Sequence, residues 1–240
     1  MRKDEDRPYA YRTGKVEFFL LPFKCDERAL VPRLETESLV REVLRELKSD
    51  DYGTVVDVGT GSGVIAVTIA ANRRDLRIVA LDRSEAALSL ARENAAQNGV
   101  AVEFVLSDLL SDLSISDTGP FESEWGTSKR TPERDGIFFV ANLPYVRAGA
   151  TDLSPDTAFE PPEALYGGLK TGFELTRRFL EEVERFAKSH PDRKIAVACE
   201  VGDDHEDEIA RAARELGRDV RTFADLTGTH RFFTYRIWPS

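Results

Sequence analysis

The 240-residue sequence is poor in the residues that build disulfide frameworks and metal sites: it has two cysteines and three histidines. Cys25 and Cys199 lie far apart and neither belongs to a Cys-x-x-Cys motif, which excludes a stapled secreted scaffold. His190, His205 and His230 lack metal-ligand spacing, so zinc hydrolysis has no parts here and each reads as a surface residue. No run approaches the roughly 18 apolar residues that span a bilayer, and Met1–Arg7 has no apolar signal core. The expectation is a cytoplasmic chain with no membrane partner. Positive charge is also in deficit: 33 Lys and Arg against 43 Asp and Glu give a net charge of -10 and a pI near 5.0. That balance argues against nucleic acid as a direct substrate, because binding a phosphate backbone needs clustered cations. A Gly-x-Ser-x-Gly elbow and a Gly-x-x-x-x-Gly-Lys-Ser/Thr loop are both missing, which removes the serine-hydrolase and triphosphate-loop classes.

What is present is an ordinary soluble composition, 41% hydrophobic and 32% charged, without internal repeats. Residues 1–48 read as an arm, a hairpin and a helix. The hairpin is expected to pair Val16–Leu21 with Ala29–Val31 across Pro22–Arg28. Thr36–Lys48 sets Leu39, Val40, Val43, Leu44 and Leu47 on one face at helical spacing. From residue 49 to 240 strand and helix alternate: Thr54–Val58, Ser62–Asn72, Arg77–Leu81, Ser84–Asn98, Val102–Leu106, Gly136–Ala141, Phe173–Lys188, Lys194–Val201, Glu206–Leu216, Val220–Ala224 and Arg231–Trp238. Such alternation specifies an α/β fold, a parallel sheet covered by helices. Ser111–Asp135 is rich in Ser, Thr, Gly, Pro and Glu and reads as an exposed insertion loop; its Lys129-Arg130 pair reads as solvated.

The densest signal is Val55-Val56-Asp57-Val58-Gly59-Thr60-Gly61-Ser62-Gly63, a buried strand turning tightly through alternating glycines onto a helix. Alone it is weak evidence, since a tight strand-to-helix turn is the other reading. A dinucleotide fingerprint would put a small residue at position 64, where Val64 stands, so NAD is disfavoured. Asp57, two residues before the first glycine, points to a ligand with a cationic end, as in S-adenosylmethionine with its ammonium and sulfonium. Asp82 ends the next strand, where a carboxylate can accept two ribose hydroxyls, although it could equally cap the helix that starts near Ser84. Asp108, after the third strand, is placed to face an adenine amine. Asp57, Gly59, Thr60, Gly61, Gly63, Asp82 and Asp108, with Asn142, form the expected cofactor set.

Asn142-Leu143-Pro144-Tyr145 follows the fourth strand, at the carboxyl edge where open parallel sheets bind ligands. Methyl transfer from a sulfonium is an in-line displacement, so the site must hold the nucleophile in near-attack geometry. For a planar nitrogen, acceptors for its two N–H groups help turn the lone pair toward the methyl. Asn142 offers its side-chain carbonyl, Leu143 its backbone carbonyl, Pro144 stiffens the turn, and Tyr145 can lie against the flat group. In isolation Asn-x-Pro is a common turn starter. Glu160-Pro161-Pro162-Glu163 and Gly167-Gly168 read either as a wall and hinge over the pocket or as a connecting loop, with Glu160 and Pro161 expected to meet substrate beside Asn142 and Tyr145.

Taken with Leu30–Glu37 and Asp225–Arg231, these motifs resemble the HemK-type protein glutamine methyltransferases from about Val16 to the C-terminus. The resemblance implies a class I S-adenosylmethionine-dependent methyltransferase: a Rossmann-like, mostly parallel seven-stranded sheet with helices on both faces. It implies methylation of the glutamine in the Gly-Gly-Gln motif of peptide chain release factors, which would be the partner. Asn142 and the Leu143 carbonyl would then hold the glutamine amide, Tyr145 the pocket wall, and Asp57, Gly59, Gly61, Asp82 and Asp108 the cofactor. The chain departs from the family in Leu143 and Leu34, where prolines are usual, and in Gly167-Gly168-Leu169-Lys170-Thr171-Gly172, one residue longer than the family's loop and without its Asp. Most of the family's N-terminal helical domain has no counterpart in this sequence. Asn-Leu-Pro-Tyr also occurs in adenine dimethyltransferases, so an adenine amine of RNA or DNA is the competing acceptor. A ribosomal protein glutamine and an inert cofactor-binding module are further alternatives, and the oligomeric state is left open.

Overall fold

Near-continuous apolar runs along four central strands give the chain a sheet that is buried on both faces. The computed structural model describes residues 6–49, 51–114, 121–123, 126–128, 134–151 and 153–239. The elements in order are α1 (Tyr9–Thr13), β1 (Lys15–Phe18), β2 (Leu21–Lys24), α2 (Thr36–Glu46), β3 (Tyr52–Val58), α3 (Val64–Asn72), β4 (Arg77–Asp82), α4 (Glu85–Asn98), β5 (Glu103–Leu106), β6 (Phe121–Ser123), β7 (Gly126–Ser128), β8 (Gly136–Asn142), β9 (Val146–Arg147), β10 (Tyr166–Gly168), α5 (Glu174–Ser189), β11 (Ile195–Glu200), α6 (Glu206–Leu216), β12 (Arg221–Ala224) and β13 (His230–Ile237).

The central sheet has seven strands in the order β12-β13-β11-β8-β3-β4-β5. Pairing is parallel from β11 through β8, β3 and β4 to β5, and β13 runs antiparallel to both of its neighbours. Because side chains alternate along each strand, Val55, Ile78, Phe138 and Ala196 face one way and Val56, Val79, Phe139 and Val197 the other. The first set packs with α2, α3 and the β1–β2 hairpin, and the second with α5 and α6. α3, Val64–Asn72, is apolar around most of its circumference and is correspondingly buried. The expected helices and the strands of the main sheet are all present, with ends shifted by a residue or two. Among the described residues no helix is long and apolar enough to cross a membrane.

Four expectations need correction. The hairpin pairs β1 with β2, not with Ala29–Val31, and turns at Phe19-Leu20. Both turn residues have positive φ, 52° and 63°, the backbone of a two-residue turn normally marked by Asn-Gly. Without a glycine the run Phe18–Leu21 reads as continuous strand. Tertiary contacts hold the turn: Glu37 accepts the Phe19 N–H at 2.8 Å, and Phe18 and Phe23 meet edge to face with centroids 6.2 Å apart. Second, the Ser111–Asp135 stretch carries the small antiparallel hairpin β6–β7, outside the main sheet. Lys129 and Arg130 lie outside the described residues. Third, Tyr166–Gly168 is a short strand, β10, that pairs in parallel with β9. Fourth, His205 is buried, with its Nε2 2.9 Å from the Thr171 carbonyl and its ring edge-on to Phe173. A polar residue four positions before a helical apolar stripe gave no sign of burial, because the ring's partner comes from a distant loop.

Asn94, in the middle of α4 and fully buried, joins the hairpin to the glycine turn. Its Oδ1 accepts the Lys24 N–H at 2.7 Å, and its Nδ2 donates to the carbonyls of Lys24 at 3.2 Å and Ser62 at 2.8 Å. Asn94→Ala would strand one N–H and two carbonyls, and we expect a loss of about 2–3 kcal/mol in urea denaturation. A loss below about 0.5 kcal/mol, the scale of an ordinary surface change, would count against this linkage.

Candidate active site

β3 and β8 pair in parallel, with Val58 opposite Ala141, so the glycine turn and the Asn142 turn leave the sheet side by side. Gly59 sits at φ 73°, and a Cβ built there would lie 2.8 Å from Leu143 Cδ2. The two turns therefore touch, and only glycine permits both the backbone angle and the approach. Between and above them opens a cleft of about 840 Å³ that is continuous with solvent.

Of the residues expected at a site, Gly59, Gly61, Asp82, Asp108, Asn142, Leu143, Pro144 and Pro161 line this cleft. Asp57, Thr60, Gly63, Tyr145 and Glu160 do not line it. Sequence reasoning missed Arg28–Leu30, Arg83, Ser107 and Tyr166, which also line it. Ala29 and Leu30 belong to a segment that reads as a strand in isolation, and Arg28 to the connection before it. Tyr166 is 39% exposed at the rim, on a strand too short to be marked by periodicity.

The glycine loop is closed by its own hydrogen bonds. Gly59 and Thr60 donate to the Leu81 carbonyl at 2.8 and 2.9 Å, Gly63 donates to the Thr60 carbonyl at 2.9 Å, and Gly61 donates to Asp82 Oδ2 at 2.9 Å. Those N–H groups are spent, so the loop is not a cradle for a pyrophosphate, which needs them free. Asp82 also accepts the Ser84 N–H at 2.9 Å, while its oxygens keep lone pairs for hydroxyl donors in the cleft. Burial raises its pKa, opposed by those backbone donors. Asp108 is exposed at the far side and pairs with Arg178 at 2.6 Å.

Asp57 is fully buried under the turn. Its Oδ2 accepts the Thr60 hydroxyl at 2.6 Å and the Ala66 N–H at 3.1 Å, tying the loop to the first turn of α3, and its Oδ1 has no hydrogen-bond partner among the described residues. Burial pushes its pKa up to about 7.

Asn142, the last residue of β8, donates from Nδ2 to the Thr36 hydroxyl at 3.0 Å. Thr36 opens α2 and is buried. With its nitrogen held on that side, the Asn142 carboxamide has its oxygen left as the free end. Beside it, Glu200 at the end of β11 pairs in register with Asn142 and is 1% exposed. Tyr145 is held above its ordinary pKa by burial and by the nearby Glu200 carboxyl.

The rest of the wall is braced from two distant segments. Glu160, buried, accepts the Val31 N–H at 3.2 Å and pairs with Arg33 at 2.6 Å. Tyr11 donates to the Ala29 carbonyl at 2.7 Å. Ala29–Leu30 on one side of the cleft and Pro161, Glu163 and Ala164 on the other are thus held to one another. Gly167 packs against the Pro144 carbonyl, where a Cβ would overlap it, so the Gly167–Gly172 loop rests backbone to backbone on the Asn142 turn.

Residues 37–118 match the model of the methyltransferase small domain. The release factor glutamine methyltransferase of Deinococcus radiodurans is 35% identical over 230 residues, covering 95% of this chain and 74% of that protein. The chain belongs to the release factor glutamine methyltransferase family. The enzyme of the same name from Nitratidesulfovibrio vulgaris is 34% identical, covering 98% of this chain and 74% of its own length. Among solved structures, the ribosomal protein L11 methylase of Lactobacillus delbrueckii subsp. bulgaricus aligns with a TM-score of 0.52 at 18% identity, over 85% of this chain and 78% of that one. The N-terminal domain of human METTL16 in complex with SAH aligns at 0.54 and 16%, over 90% and 76%. These establish the class I methyltransferase fold, as the strand order does.

Ionised Asp57 costs stability at pH above about 7, because its folded pKa lies above the unfolded value of about 4. The cost is relieved as pH falls through about 7, so the urea midpoint should rise between roughly pH 8 and pH 5. Asp57→Asn keeps a carbonyl acceptor for Thr60 and Ala66 and should flatten part of that rise. An identical pH slope in wild type and variant would show that Asp57 does not titrate there.

Proposed function

We propose that the cleft binds S-adenosylmethionine and that the chain transfers its methyl group to the side-chain amide nitrogen of the glutamine in the Gly-Gly-Gln motif of a peptide chain release factor. Family membership supports the reaction class, and the placement of Asn142 carries the assignment of the site. Its nitrogen is engaged by Thr36, which leaves the carboxamide oxygen as an acceptor at the edge of the cleft.

The residues present fit the cofactor. Asp82 keeps acceptor capacity for the ribose hydroxyls, the closed glycine loop offers no anion cradle, and Asp108, in the cleft lining, would take the adenine amine. Bound there, the cofactor supplies an electrophilic methyl on a sulfonium. Asp57 acts from below, fixing the loop through Thr60 and Ala66.

At the acceptor side the chain's task is alignment. The amide nitrogen's lone pair is delocalised into its carbonyl, so the amide is a poor nucleophile until its N–H groups are held and its plane is set. Asn142 Oδ1 and the Leu143 carbonyl accept those two N–H groups. Pro144 stiffens the turn, and Tyr145 follows it as the last residue of the acceptor motif. The attacking nitrogen gains the methyl and loses one proton to solvent, while the carbon–sulfur bond breaks. Glu160 and Pro161 shape the wall that the acceptor passes. A release factor as acceptor goes with a cytoplasmic location.

Methyl-labelled cofactor should deliver label to a purified release factor and none to a variant whose motif glutamine is replaced. Label appearing only in RNA would favour the adenine amine as acceptor, and cofactor binding without transfer would favour an inert module. Asn142→Ala should lower kcat by roughly two to three orders of magnitude, about 3–4 kcal/mol, and unchanged turnover would remove Asn142 from the acceptor role. Asp82→Ala should abolish the rise in Tm that the cofactor produces in the wild-type chain, measured by differential scanning calorimetry.

A further inference from the structure

We infer that Thr36 and Glu200 are positioning residues: they form a one-directional hydrogen-bond relay that locks the Asn142 carboxamide with its oxygen toward the acceptor amide. The inference rests on the function proposed above and adds two residues to it. Asn142 Nδ2 donates to Thr36 Oγ1 at 3.0 Å. Thr36 is 2% exposed, so its own proton has no route to water, and the buried Glu200 carboxyl, whose pKa the Thr36 hydroxyl lowers, is the acceptor beside it. Glu200 stands directly across from Asn142 in the β8–β11 pairing, which brings the three side chains into one short chain.

The direction of that chain follows from donor and acceptor inventory. An ionised carboxylate only accepts, so the Thr36 hydroxyl must give its single proton to Glu200 and can only accept from Asn142. A flipped Asn142 would set its oxygen against the Thr36 oxygen with no proton between them. The amide is therefore held one way round by a group that never touches the substrate. Three elements supply the relay: β8 carries Asn142, β11 carries Glu200, and the start of α2 carries Thr36.

Glu200 titrates in a crowded setting. Burial pushes its pKa up to about 7, with Glu35 adding to the rise, while the Thr36 hydroxyl, Arg231 and Arg33 pull it down; Tyr145 lies close by. Protonated Glu200 can donate to Thr36, which frees the threonine proton to turn toward Asn142 and tolerate the flipped amide. Locking should then weaken as pH falls through about 7.

The test measures kcat for methyl transfer to a release factor, with cofactor Kd by calorimetry, in Thr36→Val, Thr36→Ser and Glu200→Gln. Thr36→Val cannot accept from Asn142 and should lower kcat roughly 10- to 100-fold at unchanged cofactor Kd. Thr36→Ser, which restores the hydroxyl, should recover most of the loss. Wild-type kcat should fall on acidification through pH about 7, and Glu200→Gln, still an acceptor but unable to titrate, should lose that fall. Wild-type kcat in Thr36→Val, a serine variant as impaired as the valine variant, or an acid limb that persists in Glu200→Gln would each overturn the relay. If Thr36→Val does not fold, the serine variant and the Glu200→Gln profile decide. A wild-type chain that methylates no release factor would overturn the functional reading and the relay with it, whereas an active wild type with indifferent variants overturns the relay alone.

Discussion

Everything at the site depends on the parallel pairing of β3 with β8. A strand can emerge from a sheet next to another only if the two run the same way and stop at the same level, and Val58 opposite Ala141 sets that level. One step later the chains diverge into Gly59 and Asn142, and the Leu143 side chain fills the space that a Cβ on Gly59 would occupy. A shift of one residue in this register would turn every β8 side chain to the other face and carry the acceptor turn away from the glycine turn. All of Ile137, Phe138, Phe139 and Val140 are apolar, so it is shape that resists the shift: Phe138 and Val140 are packed into the core on one face and Ile137 and Phe139 into the core on the other.

Around that pair the molecule uses polar groups sparingly and in layers. Asp57 and Glu200 are both buried carboxyls near the ends of strands separated by one other in the sheet, both with a pKa pushed up to about 7 by burial; Asp57 accepts the Thr60 hydroxyl, and the pKa of Glu200 is lowered again by the Thr36 hydroxyl. Neither lines the cleft. They sit one layer behind the residues that do, fixing a loop in one case and an amide in the other. Burying an ionisable group is costly unless its hydrogen bonds are made, and both groups keep one oxygen without a partner among the described residues. The cost is concentrated where the backbone must be held still.

Much of this was legible in the sequence for a physical reason: periodicity and turn chemistry are local. The alternation of β3, α3, β4, α4 and β5, and the glycine turn that interrupts it, follow from residues within a few positions of each other. The acids after those strands and the Asn142 turn could be placed at one edge because parallel strands all end on the same side. What could not be read depends on distant partners. The positive φ of Phe19 and Leu20 is imposed by Glu37 and the buried phenylalanines, not by the turn residues themselves. Asp57 carries the same motif position whether it faces a ligand or the underside of a loop, and only its contacts with Thr60 and Ala66 distinguish the two. Thr36 reads as a helix start and Glu200 as a strand end until pairing sets them beside Asn142.

The Glu160 brace has a thermodynamic corollary. The carboxylate reaches back 129 residues to Val31 and 127 to Arg33, so the cleft gains its wall only after one of the longest loops in the chain has closed. Loop closure on that scale draws on configurational entropy before any local contact repays it. The cavity is consequently a property of the completed topology rather than of any segment. A small molecule seated in it meets nothing comparable in partly assembled forms, and its binding energy is drawn entirely toward the finished state.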